Sequence, residues 1–324
     1  MHPNTIQMGK SRREFIKTAS ATTVGAAISP ALFSNPADAK ASPVTICAFT
    51  KCLQYIDYER LGEKLAFAGF SGADLPIRPD GYIKPENVAT ELPKVVKVLK
   101  KSGIIVPMMV TAITIADDPE AERVLGTASE LGIKYYRTGY LSYDQTKTIQ
   151  DNLDIHKKAY EKLEKINRKF GIHGGYQNHS GIRVGGPVWD LYWILKDLDP
   201  TYIGVQYDIC HAMCEGGASW SLGMKLLAPW IKMTDIKDFI WEKVNDKWKI
   251  TYLPLGMGMV DFNAYLRTYT RLKISGPISM HFEYDLGGAE TAKPNPTISV
   301  EDISVHMKND NAWFRNKLKE FGIL

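Results

Sequence analysis

What most narrows the folds open to this chain is where its apolar runs stop. Four of them end in clusters of polar side chains: YQNHSG with Gln177, Asn178 and His179; QYDICH with Asp208 and His211; TDIKDF with Asp235 and Lys237; and SMHFEY with His281 and Glu283. They lie roughly 30 to 45 residues apart, the length of one strand-plus-helix unit, so all four can meet at one rim of a (β/α)₈ barrel. That rim is where such folds carry their chemistry.

The rest of the chain supports the same architecture. Strand-like runs read at Val44 to Phe49, Gly72 to Pro76, Ile104 to Val110, Tyr135 to Arg137, His173 to Gln177, Tyr202 to Asp208, Ile231 to Ile236 and Ile278 to Phe282. Helical periods separate them, the pattern of a parallel sheet covered by helices. Eight strands close a TIM barrel, a single α/β domain from residue 40 to 324. Helix signals mark Asp57 to Ala68 before Gly69, and Leu92 to Lys101 with Pro93 in its first turn and Gly103 beyond it. The segment Thr146 to Lys169, stopped by Gly171, places Leu153, His156, Ala159, Tyr160, Leu163 and Ile166 on one stripe. Phe239 to Leu255 alternates as a hairpin about Asn245 and Asp246 and is expected to act as a lid, because it follows Lys237 directly. Val300 to Leu324 reads as a closing amphipathic helix with His306 exposed.

Residues 1–39 carry a different message. Ser11, Arg12, Arg13, Glu14, Phe15, Ile16 and Lys17 form a twin-arginine export signal, followed by a weakly apolar run from Thr18 to Phe33 and the small-x-small cleavage site Ala37-Asp38-Ala39. The run falls short of the roughly 18 to 20 strongly apolar residues of a span, so no stable membrane span is expected once the signal is cleaved, and the mature chain is expected in the periplasm. Cleavage removes Lys10, Arg12, Arg13 and Lys17 against Glu14 and Asp38, which takes the formal charge from +4 to +2. A near-neutral chain does not point to a nucleic-acid partner, which calls for a clustered basic face. Cys47, Cys52, Cys210 and Cys214 do not space as a disulfide framework; Cys210 and Cys214 flank His211, yet without a second pair they read as buried thiols rather than zinc ligands.

Side chains two apart on a strand share a face, so Gln177 with His179, Asp235 with Lys237, and His281 with Glu283 make three same-facing pairs, and Asp208 ends a fourth strand. Gln177, Asp208 and His281, with Asp235 as a fourth, offer the mixed donors that suit a divalent metal ion such as Mn²⁺, Co²⁺, Zn²⁺ or Mg²⁺. The alternative is an Asp208–Lys237 ion pair beside a His281–Glu283 hydrogen bond, with no metal. Lys237, Glu283 and His211 are the candidates for catalytic acid or base. Lys51, Arg78, Arg137 and His179 are candidates for holding substrate, and Asp74 ends another strand. Tyr140, Tyr143, Trp220 and Trp241 are placed to stack on sugar rings, whereas Trp189, at a helix start, reads as core.

These motifs resemble the sugar phosphate isomerase/epimerase family, the xylose isomerase-like barrels related to endonuclease IV: AFAGFSGADL is similar to the second-strand motif, YQNHSG to the fifth, YDICHAMCEGG to the sixth, IKDF to the seventh and LGMGMVDF to the Gly-rich loop that follows. The resemblance implies a carbohydrate substrate, a divalent metal and proton transfer through an enediolate. It also implies metal ligands Glu, Asp, His and Glu, of which only Asp208 matches; Gln177, Asp235 and His281 stand at the other three positions. His211 falls where the family's histidine contacts substrate hydroxyls. The leading expectation is therefore a metal-dependent isomerase or epimerase of a sugar or keto-sugar. A lyase that eliminates the aglycone from a 3-keto-glycoside is the second, because it needs one base where epimerisation uses two carboxylates. A non-catalytic periplasmic sugar-binding barrel is the third.

Overall fold

The computed structural model describes residues 44–324; the export signal and its cleavage site lie outside the described residues. Eight parallel strands form a closed barrel: β1 (Ile46–Phe49), β2 (Gly72–Pro76), β3 (Ile105–Val110), β4 (Tyr135–Arg137), β5 (His173–Gln177), β6 (Ile203–Asp208), β7 (Ile231–Ile236) and β10 (Ile278–Met280). The order around the barrel is β1-β10-β7-β6-β5-β4-β3-β2, which is chain order once the two-stranded excursion of β8 (Asp238–Val244) and β9 (Lys247–Leu253) is set aside. Every strand read from the sequence is present. The last one stops at Met280, so His281 and Glu283 stand beyond the sheet, although the His281 amide still donates to the Ile236 carbonyl at 3.0 Å.

The inside of the barrel is graded along its axis. Cys47, Met108 and Met233 make a small apolar cluster. Nearer the C-terminal ends, the inward positions are Asp74, Gln206, Asp208, Asp235 and Ser279, all buried. Alternation produces this grading directly: Met233 and Asp235 lie two apart on β7, as do Gln206 and Asp208 on β6. Gly175 lets the interior fit, since a Cβ there would lie 2.4 Å from the Met233 methyl carbon.

Helices α1 (Tyr58–Phe67), α2 (Val88–Lys101), α3 (Ala121–Glu130), α4 (Ile149–Phe170), α5 (Trp189–Leu195), α6 (Ile209–Gly216), α7 (Trp220–Leu227), α8 (Phe262–Arg271) and α9 (Val300–Glu320) flank the barrel strands. Their apolar faces bury Leu61, Leu65, Leu92, Leu99, Val124, Leu163, Ile303 and Phe314, each removed from water at a gain of about 1.5–3 kcal/mol. Asp57 caps α1 by accepting from the Arg60 amide at 2.7 Å. Thr148 and Asp151 form a reciprocal capping box on α4, and Gly171 ends that helix at φ 61°. Of the expected α4 stripe, Leu153, Tyr160 and Leu163 are buried while His156, Ala159 and Ile166 are only half-buried; Asn152 and Asn167 are buried as well, because Asn152 binds the Asp144 amide and Asn167 binds the Tyr136 hydroxyl. Helix α2 starts at Val88, a turn before the expected start, so Pro93 lies within it rather than in its first turn. Trp189, expected in the core, is 59% exposed. His306 is exposed as expected. All four cysteines are free thiols, Cys47, Cys52 and Cys210 buried and Cys214 half-buried. Among the described residues, no helix is long and apolar enough to cross a membrane.

Candidate active site at the barrel mouth

Gln177 at the end of β5 sits at the centre of a hydrogen-bonded network. Its Oε1 accepts from Arg137 Nη1 at 2.8 Å and from the Tyr140 hydroxyl, while its Nε2 donates to Asp208 Oδ2 at 2.9 Å and Asp235 Oδ2 at 2.7 Å. The four partners fix the amide's orientation, since turning it over would set its oxygen against two carboxylates and its NH₂ against a guanidinium. The other oxygen of Asp235 accepts from Gln206 Nε2 at 2.5 Å and lies 3.4 Å from His281 Nε2.

Lys237 joins the next ring of charges. It falls between the end of β7 and the start of β8, is 2% exposed, and its Nζ lies 3.2 Å from Asp208 Oδ2 and 3.1 Å from Glu283 Oε2. Lys51, on the turn after β1, reaches Glu283 Oε1 at 3.5 Å, and His281 Nδ1 lies 3.8 Å from the same oxygen. Burial by itself pushes Lys237 down, but Asp208 and Glu283 outweigh it and hold the ammonium well above the usual lysine range. Burial likewise pushes Glu283 up, and Lys237, His281 and Lys51 overcome it, so the carboxyl is held well below its usual range. His281 is raised: burial opposes its charge, and Asp235 more than compensates.

Also beside Asp208, His211 and His179 pack with ring centroids 3.9 Å apart. His211 Nδ1 bonds the Ser180 hydroxyl at 2.9 Å, and its Nε2 lies 3.7 Å from Asp208 Oδ2. Burial, reinforced by Lys237, holds both rings neutral: His179 is lowered to about 4 and His211 falls well below the ordinary histidine value. Asn178 locks the backbone of β6, donating to the Asp208 carbonyl at 2.9 Å and accepting the Asp208 amide at 2.8 Å.

The structure thus brings together Gln177, Asp208, Asp235, His281, Lys237, Glu283, His211, His179, Lys51 and Arg137. Arg78 stands further out, paired with Asp80 at 3.1 Å and with its guanidinium 5.9 Å from the Phe49 ring; the same ring packs on His281 at 4.6 Å. Tyr140 faces the site, but Tyr143 does not, because its hydroxyl is taken by the Asp190 carboxylate. The hairpin reaches the mouth through Tyr252, whose ring centroid lies 5.3 Å from Lys237 Nζ. Three contributors were not picked out from the sequence: Gln206, Ser180 and Asp238. Gln206 was legible, since it shares a face with Asp208 two residues on. Asp238 acts at one remove by accepting from the amides of Gly256 and Gly258 (2.9 Å each), Val260 (3.1 Å) and Phe239 (2.9 Å), which shapes the Gly-rich loop.

As a holder of a divalent cation the cluster fits poorly. The Gln177 oxygen faces Arg137, both oxygens of Asp235 are engaged, and an ammonium already stands against Asp208 and Glu283. Among the described residues, no group of three or more His, Cys, Asp or Glu side chains is disposed to hold a metal ion.

Several solved barrels superpose on this one. A 3-keto-D-glucoside 4-epimerase from E. coli, in its apo form, superposes with a TM-score of 0.62 at 13% identity over 84% of this chain and 99% of its own. A D-psicose 3-epimerase with D-tagatose from Clostridium cellulolyticum H10 gives 0.61 at 12% identity over 84% and 98%. A xylose isomerase-like TIM barrel protein from Mycobacterium smegmatis in complex with magnesium gives 0.57 at 15% over 82% and 97%. At these identities the likeness is one of fold. No curated protein matches the sequence. The family profile described as a xylose isomerase-like TIM barrel matches residues 63–309, from α1 into α9, and so spans most of the barrel and its site. With the closed barrel and the sequence pattern agreeing over that length, the chain belongs to the xylose isomerase-like TIM barrel family.

Proposed function

We propose that this protein catalyses proton transfer next to the carbonyl of a sugar or keto-sugar, as an isomerase or epimerase working through an enediolate. The observation that carries the reading is Glu283: a carboxylate at the barrel mouth, its side chain 19% exposed, set between the ammonium groups of Lys237 and Lys51. A base and two positive charges then converge where a substrate carbonyl can enter. With the carbonyl oxygen against Lys237 and Lys51, the adjacent C–H is acidified and Glu283 removes its proton; return of that proton to the former carbonyl carbon, with the neighbouring hydroxyl proton passing to the former carbonyl oxygen, completes isomerisation, and delivery of a proton from water to the opposite face of the same carbon completes epimerisation. The ion pairs that hold Glu283 ionised also weaken it as a base, and a substrate oxygen that shares the lysines' hydrogen-bond donation loosens that hold. Neutral His211, with Ser180 behind it, and Arg137 are positioned to bind hydroxyls. The sugar epimerases among the structural neighbours support a carbohydrate substrate. No step is routed through a divalent cation, because the donor set does not fit one.

Gln177 favours a second reading. An amide cannot shuttle a proton, so the fifth strand lacks the base that a two-carboxylate epimerisation uses. Elimination from a 3-keto-glycoside needs one base: Glu283 takes the C2 proton, the C1–O pair leaves with the aglycone, and that oxygen is protonated by water. A periplasmic location, proposed here from the twin-arginine leader, suits a glycoside better than a phosphorylated sugar.

The test is incubation with keto-sugars and 3-keto-glycosides in D₂O, followed by NMR. Deuterium entering the carbon next to the carbonyl, with a new sugar formed, supports the isomerase or epimerase; exchange with release of aglycone supports the lyase. Glu283→Gln is expected to lower either rate by about 100-fold or more, the typical worth of a positioned base. Saturable binding with no exchange would leave a sugar-binding barrel instead.

A further inference from the structure

We infer that the Lys237 ammonium occupies the electrostatic place of a divalent cation in this barrel, so that the mouth is a metal-independent site whose positive charge is built into the chain. The inference stands on the geometry of the mouth and does not need the reaction proposed above.

Divalent cations sit about 2.0–2.6 Å from carboxylate oxygens. The two oxygens that Asp208 and Glu283 turn toward each other are bridged by Lys237 Nζ, at 3.2 and 3.1 Å. A cation ligated by that pair would lie against a buried ammonium with no water between them to screen the repulsion. Lys237 has little room to withdraw, since it is almost wholly buried and Tyr252 closes over it.

The remaining donors are consistent with this. Gln177 turns its amide hydrogens, not its oxygen, toward Asp208 and Asp235, and Arg137 holds the oxygen from behind at 2.8 Å. Both oxygens of Asp235 are engaged, Oδ2 by Gln177 and Oδ1 by Gln206, with His281 Nε2 3.4 Å from Oδ1. Countercharge is also at hand within the chain: Lys237 lies between Asp208 and Glu283, Lys51 reaches Glu283, and His281 Nε2 lies 3.4 Å from Asp235, which meets the need of buried carboxylates without an ion. Gln177 and Lys237 therefore act together: an amide removes one negative charge from the ring, and an ammonium supplies one positive charge to it. A consequence is that the group facing the substrate oxygen is a proton-bearing hydrogen-bond donor.

The experiment is metal analysis of the purified mature chain, followed by chelator dialysis and titration with Mn²⁺, read by the paramagnetic signal of the bound ion and by Tm. Neither readout depends on turnover, so loss of the proposed reaction would not alter the result. The wild type is expected to carry no stoichiometric metal, to show no saturable Mn²⁺ binding at millimolar ion, and to keep its Tm. Lys237→Ala, which frees an oxygen of Asp208 and one of Glu283, is expected to gain Mn²⁺ binding and a Mn²⁺-dependent rise in Tm. Stoichiometric metal in the wild type that Asp208→Asn removes would overturn the inference; Mn²⁺ that binds equally with Asp208→Asn lies elsewhere and leaves it standing.

Discussion

Asp74 shows how a single inward residue can set a pH response. It is fully buried in the middle of β2 and accepts the Ser279 hydroxyl on Oδ2 at 2.7 Å while Oδ1 has no partner. Burial is the main cause that lifts its carboxyl from 3.8 to about 6, only partly offset by Ser279. Between those values the folded chain holds a proton that the unfolded chain has released, so the folded state binds more protons and stability falls as pH rises through this window. The shift corresponds to about 3 kcal/mol at full titration. Asp74→Asn is therefore expected to unfold at higher urea than the wild type at pH 7, with the advantage shrinking to nothing by about pH 4. Urea midpoints of the two proteins across that range measure it; parallel curves would show that Asp74 does not titrate in this way.

At the level of elements, the excursion between β7 and α8 is organised by one carboxylate. β8 and β9 pair through a two-residue turn in which Asn245 and Asp246 take φ 49° and 60°, the left-handed pair that matches strand twist and that these residue types tolerate. Beyond β9 the chain returns over Asp238, which accepts from four amides. Gly258 is required there, since a Cβ would lie 2.2 Å from Asp238 Oδ1, and Gly256 is required at φ 82°. Lys237 is the neighbour of Asp238 in sequence, so the bonds that anchor the loop also fix the backbone from which the ammonium projects. Asp238→Ala strands four amides, those of Phe239 and Val260 on buried residues, and is expected to cost about 2–4 kcal/mol of unfolding free energy, with Asp238→Asn, which keeps an acceptor oxygen, costing less. Equal denaturation midpoints for the wild type and Asp238→Ala would show that the loop holds itself without the carboxylate.

For the molecule as a whole, the barrel is the device that makes a site from distant residues. Lys51 and Glu283 are separated by almost the full length of the mature chain, yet they meet because β1 and β10 close the cylinder in register, Cys47 opposite Ser279. The proposed twin-arginine leader would couple folding to location, since that route carries proteins that have already folded. Replacing Arg12 and Arg13 with Lys is expected to leave the chain in the cytoplasm with its first 39 residues attached, checked by cell fractionation and N-terminal sequencing; export of that variant would remove the periplasm from the functional argument.

The sequence by itself determined the eight strands, the capped helices Asp57 to Ala68 and Thr146 to Lys169, the hairpin about Asn245 and Asp246, and the rim on which the polar strand ends gather. These follow from local rules: periodicity, alternation of faces, caps and turn residues each act within a few residues. What only the tertiary structure decided is how the gathered groups share their charges. Nothing within the sequence around Gln177 says that its amide hydrogens face Asp208 and Asp235 while Arg137 takes its oxygen; the sequence leaves an Asp208–Lys237 ion pair open against a metal site, and nothing around Lys237 says that it also reaches Glu283. Those partners come from different strands, and the energy of a buried charge depends on every dipole and charge that closure of the barrel brings within a few ångströms of it. The same residues can be written as a cation cage or as a network of ion pairs, and the choice lies in the angles and distances set when the eight strands close.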